Sequence, residues 1–206
     1  GIPHGVLNFL PGKGSVIGAH MVEHPQTRFI AFTGSKEVGL RLFEQAGQTK
    51  PGQLWLKRTI LEMGGKDAVV VDETANLEAA SVGIVQSAFG FQGQKCSAGS
   101  RAIIVDSVYA QVVGRAVELA SKLTVGAPDT SAWIDQGPVV DANSFKKILD
   151  YIELGTQEGK LLLGGSPMDT PDKGYFIPPT IFGDVDGNAR IAQEEIFGPV
   201  LACVRA

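Results

Sequence analysis

Only two cysteines, Cys96 and Cys203, occur in 206 residues. That is too few for a disulfide framework, and it points to a reducing compartment, the cytoplasm, with a thiol free for chemistry. No uninterrupted apolar run approaches the ~20 residues that a membrane-spanning helix requires. Positive charge is also scarce. Lys and Arg total 18 against 22 Asp and Glu, a net charge of −4, which argues against the concentrated basic face that nucleic acid selects. The three histidines, His4, His20 and His24, lie far in sequence from Cys96 and form no dyad with it. No His/Cys/Asp/Glu cluster has metal-ligand spacing, so no metal is expected. Internal repeats and low-complexity tracts are absent. The chain opens on Gly1-Ile2-Pro3-His4, without the basic-then-apolar leader of a secreted protein. It closes inside the apolar run Val200–Val204, and is expected to be a piece of a longer protein.

What is present is alternation. Apolar runs of strand length take turns with helix-length periodic segments, the pattern of an α/β fold with a mainly parallel sheet. Residues 6–10, 29–32, 54–56 and 59–62 read as extended, with helices over about 15–24 and 36–48 between them. After Gly64-Gly65, residues 67–71 read as a buried strand. A helix follows through Leu77, Ala80, Ile84, Val85 and Ala88, whose spacing is helical. Strands are expected over 101–105, 161–163 and 177–182. An amphipathic helix is expected from Ser107, as its cap, to Leu123. Another runs from 142 to 154, closed by Gly155 in a left-handed cap. The glycine pair is the natural boundary, giving residues 1–63 and 64–206 as two domains.

Four groups could do chemistry. Phe32-Thr33-Gly34-Ser35 follows a strand and opens a helix, where free backbone N–H groups attract phosphate and Gly34 permits close approach. The same residues could equally serve to cap the helix. Gly12, Gly14 and Gly18 miss the usual dinucleotide spacing and carry little weight. Cys96 lies among polar and small residues with Lys95 beside it, as suits a reactive thiolate, although an inert loop thiol fits the composition as well. Cys203, in an apolar run, reads as a small packed hydrophobe. Glu62 ends an apolar strand before glycines, a place where a carboxylate can act as a base or simply be solvated. Lys66 reads as a structural ion-pair partner.

Taken in order, Phe-Thr-Gly-Ser at 32–35, Leu-Glu-Met-Gly-Gly-Lys at 61–66, Gly-Gln-Lys-Cys at 93–96 and Glu-Glu-Ile-Phe-Gly-Pro at 194–199 resemble the aldehyde dehydrogenase superfamily. The resemblance runs the length of the chain. Within it, the insertion at 51–58, the Phe91–Ala98 form of the cysteine loop and Gly137-Pro138-Val139-Val140 are most similar to the 1-pyrroline-5-carboxylate dehydrogenase branch. The resemblance implies the latter part of a Rossmann-type NAD-binding domain followed by an α/β catalytic domain. It further implies Cys96 as nucleophile, Glu62 as general base, and Ser35 with Gly34 at the NAD pyrophosphate. Glu195 falls at the nicotinamide ribose with Phe197 packed beside it, where a core aromatic would look the same. Lys95 and Ser97 fall at the substrate carboxylate. The implied reaction oxidises L-glutamate γ-semialdehyde to L-glutamate, by an enzyme expected to be a homo-oligomer. The family's chain is more than twice as long, so segments carrying the oxyanion asparagine, the adenosine-ribose lysine and the substrate-anchoring loop lie outside this sequence. By itself the 206-residue piece is expected to have little or no activity. Three other readings stay open: a dehydrogenase of another aldehyde, a thiol hydrolase, and a non-catalytic folding or assembly module.

Overall fold

A computed structural model describes residues 1–129, 133–169 and 174–206. It divides into two compact units, Gly1–Gly64 and Gly65–Ala206.

The first unit is built on a short parallel pair. Strand β1 (Phe29–Thr33) lies beside β2 (Arg58–Glu62), with Thr33 opposite Glu62. Before β1 the chain makes a wide helical turn at Gly14–Gly18 that runs into α1 (Ala19–Glu23). Between the strands comes α2 (Lys36–Gly47), capped where Ser35 Oγ accepts from the Val38 N–H at 3.3 Å. The residue pattern anticipates β1 and α2 closely. It fails at 6–10 and 54–56, which are irregular and exposed. An apolar run becomes a strand only where a neighbour takes up its N–H and C=O groups. The β1–β2 sheet adds neither segment. Only Val22, Gly39 and Ala46 are buried in this unit, among the described residues.

The second unit is layered helix–sheet–helix. Five strands run in the order β3 (Ala68–Val71), β4 (Arg101–Ile104), β7 (Val200–Arg205), β6 (Thr180–Val185), β5 (Lys160–Leu163). All pairs are parallel except the β5–β6 edge. The central strand β7 is buried from Val200 to Cys203, the near-continuous apolar run of a strand covered on both faces. Its side chains alternate. Leu201 and Cys203 face α3 (Leu77–Phe89) and α4 (Asp106–Ala120), packing with Ile84, Phe89, Val112 and Ala116. Val200 and Ala202 face α5 (Ala142–Glu158) and the one-turn α6 (Arg190–Gln193), packing with Ile148, Ile152, Phe182 and Ile191.

Two helix ends depart from the sequence reading. α4 begins at Asp106 after Val105, so Ser107 lies within the helix and caps nothing. α5 runs through Gly155 to Glu158. Gly155 is there for space: a Cβ on it would stand 2.6 Å from the Phe182 ring, and Phe182 is fully buried. Asn76 and Asp141 cap α3 and α5 by accepting from the Ala79 and Ser144 N–H groups at 3.1 and 2.7 Å. Among the described residues no helix is long and apolar enough to cross a membrane.

Tyr109 ties α4 to the sheet. Its buried hydroxyl accepts from the Asp184 N–H at 2.6 Å and donates to Cys203 O at 3.2 Å. Asp184 has a left-handed φ of 52°, so the first bond also fixes a strained corner at the end of β6. Burial pushes the phenol up to about 12. Tyr109→Phe removes from a buried site the acceptor of the Asp184 N–H and a donor to Cys203 O. A loss of about 1–3 kcal/mol is expected, read from urea unfolding of the two proteins; a loss below about 0.5 kcal/mol would show that the hydroxyl is dispensable.

Candidate active site

In the first unit the site residues gather at the carboxyl ends of β1 and β2, where parallel α/β sheets commonly bind ligands. The Gly34 N–H donates to Glu62 O at 3.0 Å, so the Thr33–Ser35 turn and the Glu62 backbone are joined directly. The Glu62 side chain is exposed. Ser35 Oγ is engaged with Val38, which leaves the N–H groups of Lys36 and Glu37 at the start of a twelve-residue helix to meet an anion. Gly39 is needed for packing: a Cβ there would stand 2.5 Å from Met63 Sδ. Beside this turn, a cavity of about 640 Å³ opens between α1, α2 and β1. Gly14, Gly18, Val22, Phe32, Val38 and Leu42 line it. A flat apolar ring with an anionic tail would fit a slot of this chemistry next to a helix N-terminus. Gly14 and Gly18, discounted on spacing, are part of it. Their signal was present in the sequence but did not match the usual motif, because a wide helical turn replaces the tight strand–helix turn that the motif describes.

In the second unit three loops meet. The first leads from α3 to Cys96. Phe91 and Gln92 both adopt left-handed angles (φ 56° and 57°), followed by Gly93 at φ 65°. Such angles cost about 1–2 kcal/mol for each non-glycine residue. The second loop carries Glu195, Ile196, Phe197 and Gly198 into β7, and Phe197 is again left-handed at φ 61°. The third is Gly65-Lys66, entering β3. Glycines make the meeting possible. A Cβ on Gly93 would stand 2.3 Å from Gly198 O, and one on Gly65 would stand 3.0 Å from Cys96 O. The Gly65 N–H donates to Glu195 Oε1 at 3.3 Å. Gly65 therefore touches both the cysteine and the glutamate of the candidate site.

Cys96 is exposed on this loop, as are Lys95 and Ser97. The Lys95 ammonium folds back toward Gly90, at the carboxyl end of α3. Glu195 is half-buried, and the Lys147 ammonium donates to its backbone oxygen at 3.1 Å. Just before it, Arg190 and the Tyr151 hydroxyl hold the Glu194 carboxyl down at about 2, which anchors the approach to Glu195. Phe197 is 38% exposed, so it is no core aromatic and has a face free for a ligand. Cys203 is the contrary case: it is buried, and burial pushes its thiol up to about 12. Alkylation of the native protein at pH 8 should modify Cys96 faster than Cys203 by more than about tenfold, because Cys203 is enclosed in the core. Peptide mapping reads the ratio, and comparable rates would contradict the packing of β7.

The ion pair expected of Lys66 does not form. Its ammonium is buried with no hydrogen-bond partner among the described residues. The guanidinium of Arg101 donates instead to the Lys66 carbonyl. Burial first, and then Arg101, lower the Lys66 pKa to about 8, with Glu195 and Glu194 opposing. The folded pKa lies below the unfolded 10.5. Between about pH 8 and 10.5 the unfolded chain thus holds a proton that the folded chain lacks, and the contribution of Lys66 to stability rises with pH across that window. Below it, Lys66 is a net cost. Lys66→Met should stabilise the protein at pH 7 by about 1–3 kcal/mol, with the gain fading by pH 10. Urea unfolding at the two pH values measures this, and a pH-independent difference would rule out a buried ammonium. No group of three or more His, Cys, Asp or Glu side chains is arranged to hold a metal, among the described residues.

The family model described as "Aldehyde dehydrogenase family" matches residues 1–206. The chain is 59% identical over 206 residues to 1-pyrroline-5-carboxylate dehydrogenase of Geobacillus thermodenitrificans. It is 58% identical over 207 residues to the protein of that name from Bacillus subtilis. Each alignment covers 100% of this chain and 39% of the relative, so the chain spans about two fifths of the length of these curated relatives. Among solved structures, a 1-pyrroline-5-carboxylate dehydrogenase from Thermus with bound NAD superposes with a TM-score of 0.96 at 54% identity. That match covers all of this chain and 39% of the other. Proline utilization A from Bdellovibrio bacteriovorus superposes with a TM-score of 0.94 at 49% identity, over 21% of its length.

Proposed function

Because the chain belongs to the aldehyde dehydrogenase family, we propose that the protein carrying it oxidises L-glutamate γ-semialdehyde to L-glutamate with NAD, through Cys96. The observation that carries this is the exposed cysteine on a strained loop, seated on the same glycine that binds Glu195. The substrate is inferred from relatives named 1-pyrroline-5-carboxylate dehydrogenase at up to 59% identity, and the cofactor from the Thermus protein that holds NAD.

The cavity and helix start of the first unit fit a dinucleotide. Gly14, Gly18 and Val38 would take the adenosine end; Gly34, Ser35 and the free N–H groups of α2 would take the pyrophosphate. Glu195 would hold the nicotinamide ribose, with Phe197 against the ring. Residues 1–63 then serve as the latter part of the cofactor domain and 64–206 as the catalytic domain. When bound, NAD supplies the hydride acceptor.

The chain's own residues supply the rest. Cys96 Sγ, as thiolate, adds to the aldehyde carbon to form a thiohemiacetal, and the Cys96 backbone N–H donates to the oxygen on which charge develops. Loss of hydride from that carbon leaves a thioester on Cys96. Glu62 accepts a proton from water as its oxygen attacks the thioester carbon, and the acid departs as the C–S bond breaks. Lys95 and Ser97 would meet the substrate's carboxylate, a role supported by their exposure beside Cys96. Two unpaired thiols suit the cytoplasm, and a homo-oligomer follows the family habit.

The test is NADH formation by a full-length protein carrying this sequence, from glutamate semialdehyde and from a short aliphatic aldehyde. Cys96→Ala should lower turnover by about a thousandfold or more. Glu62→Gln should keep a first burst of NADH while slowing steady turnover by about 10²–10⁴-fold, since only hydrolysis needs the base. Equal or better use of the aliphatic aldehyde would overturn the substrate. Activity surviving Cys96→Ala would overturn the nucleophile.

A further inference from the structure

The turn before Cys96 is held from outside by a segment that the reaction does not use. Left-handed angles at Phe91, Gln92 and Gly93 in succession are not a conformation that such a sequence adopts by itself, and it persists only where the surroundings impose it. Three side-chain amides do so. Gln136, 1% exposed, donates from Nε2 to Phe89 O at 2.9 Å. Gln94 Oε1 accepts from the Val140 N–H at 3.0 Å. Gln92, with its amide oxygen turned toward Gly137, accepts from the Gly137 N–H and donates to Phe91 O at 3.0 Å.

Each amide makes one bond between residues 89–94 and residues 136–140, which are anchored in their own right. The Gln136 N–H donates to Thr124 O, and Gln136 O accepts from the Gly126 N–H, both at 3.0 Å. The Val139 N–H donates to Tyr175 O at 2.9 Å, and the Val139 side chain is buried against α5. Gly93 also rests on Gly198. The turn is therefore held by both the 136–140 segment and the loop of Glu195.

We propose that residues 136–140 act as a strut for the nucleophile loop, and that Gln94 is a positioning residue whose bond to Val140 sets where the Cys96 thiol and backbone N–H stand. The proposal rests on the reading of Cys96 as nucleophile. Gln94 is the member of the set closest to the chemistry. It follows the last left-handed residue, and its N–H donates to Phe91 O at 3.0 Å, closing the turn. The next tight turn, in which the Ala98 N–H donates to Lys95 O at 3.1 Å, contains Cys96. Val140 itself is 71% exposed, so its bond to Gln94 forms in competition with water and adds little to global stability. Placement is another matter, because a thiol displaced by about 1 Å from its line of attack loses up to about a hundredfold in rate. Stability and turnover should thus separate.

The experiment compares Gln94→Leu, which removes the acceptor, with Gln94→Glu, which keeps an oxygen for the Val140 N–H, in a full-length protein carrying this sequence. Gln94→Leu should lower kcat about tenfold, leave the KM for NAD unchanged and shift Tm by no more than about 2 °C. Gln94→Glu should stay within about threefold of the parent. Iodoacetamide labelling of Cys96, read on folded protein at 25 °C, should change in Gln94→Leu and return in Gln94→Glu, which gives a readout even where stability falls. A Gln94→Leu variant with parental kcat and labelling would overturn the proposal, as would a Gln94→Glu variant as impaired as Gln94→Leu. Turnover surviving Cys96→Ala would remove the nucleophile instead, and that arm is independent of Gln94.

Discussion

Strand β7 bears the second unit. It pairs on both sides with parallel neighbours, it contributes side chains to both hydrophobic layers, and its entry loop carries Glu195. Its β4 neighbour begins immediately after the Cys96 loop, so two segments about a hundred residues apart are brought side by side at one end of the sheet. The Ala202 N–H donates to Ser100 O at 3.1 Å and completes that link. A central parallel strand of this kind has no solvent face. From Val200 to Val204 its composition is consequently apolar, and Cys203 within it is packing material whose thiol burial pushes up.

Around that frame, the candidate site is assembled by backbone-on-backbone contact. A Cβ on Gly93 would collide with Gly198 O, and one on Gly65 would crowd Cys96 O. Glycine here serves approach as much as flexibility: three loops from three parts of the chain converge because each lacks a Cβ where they touch. The strain at Phe91, Gln92 and Phe197 is the counterpart of this crowding, and it concentrates on the two loops that present Cys96 and Glu195. The second unit has the well-packed core to maintain such strain. In the first unit, by contrast, few side chains are buried, and its ordered features are the β1–β2 pair, its flanking helices and the cavity between them.

The sequence by itself determined a good deal. Alternating apolar and periodic segments specified the α/β class, because strands and helices bury one face at different periods. The short runs 32–35, 61–66, 93–96 and 194–199 marked the family, since together and in this order they resemble its motifs. Residues 29–33, 36–47 and 77–89 were legible because their caps and periodicity are local properties.

Only the tertiary structure decided the rest. Residues 6–10 have strand composition but pair with no strand among the described residues, because pairing is a property of neighbours in space. Gly155 looks like a helix stop and is instead the hollow for Phe182, which lies 27 residues away in sequence. Lys66 looked paired, yet its buried ammonium has no hydrogen-bond partner among the described residues, since whether a carboxylate comes within reach depends on three loops at once. Gln94 was read only as part of the Gly-Gln-Lys-Cys run and Gln136 not at all, yet they fasten the nucleophile turn through bonds spanning 46 and 47 residues. A residue's chemistry is written in its identity, but what a bland amide holds in place is set by which distant backbone the fold delivers to it.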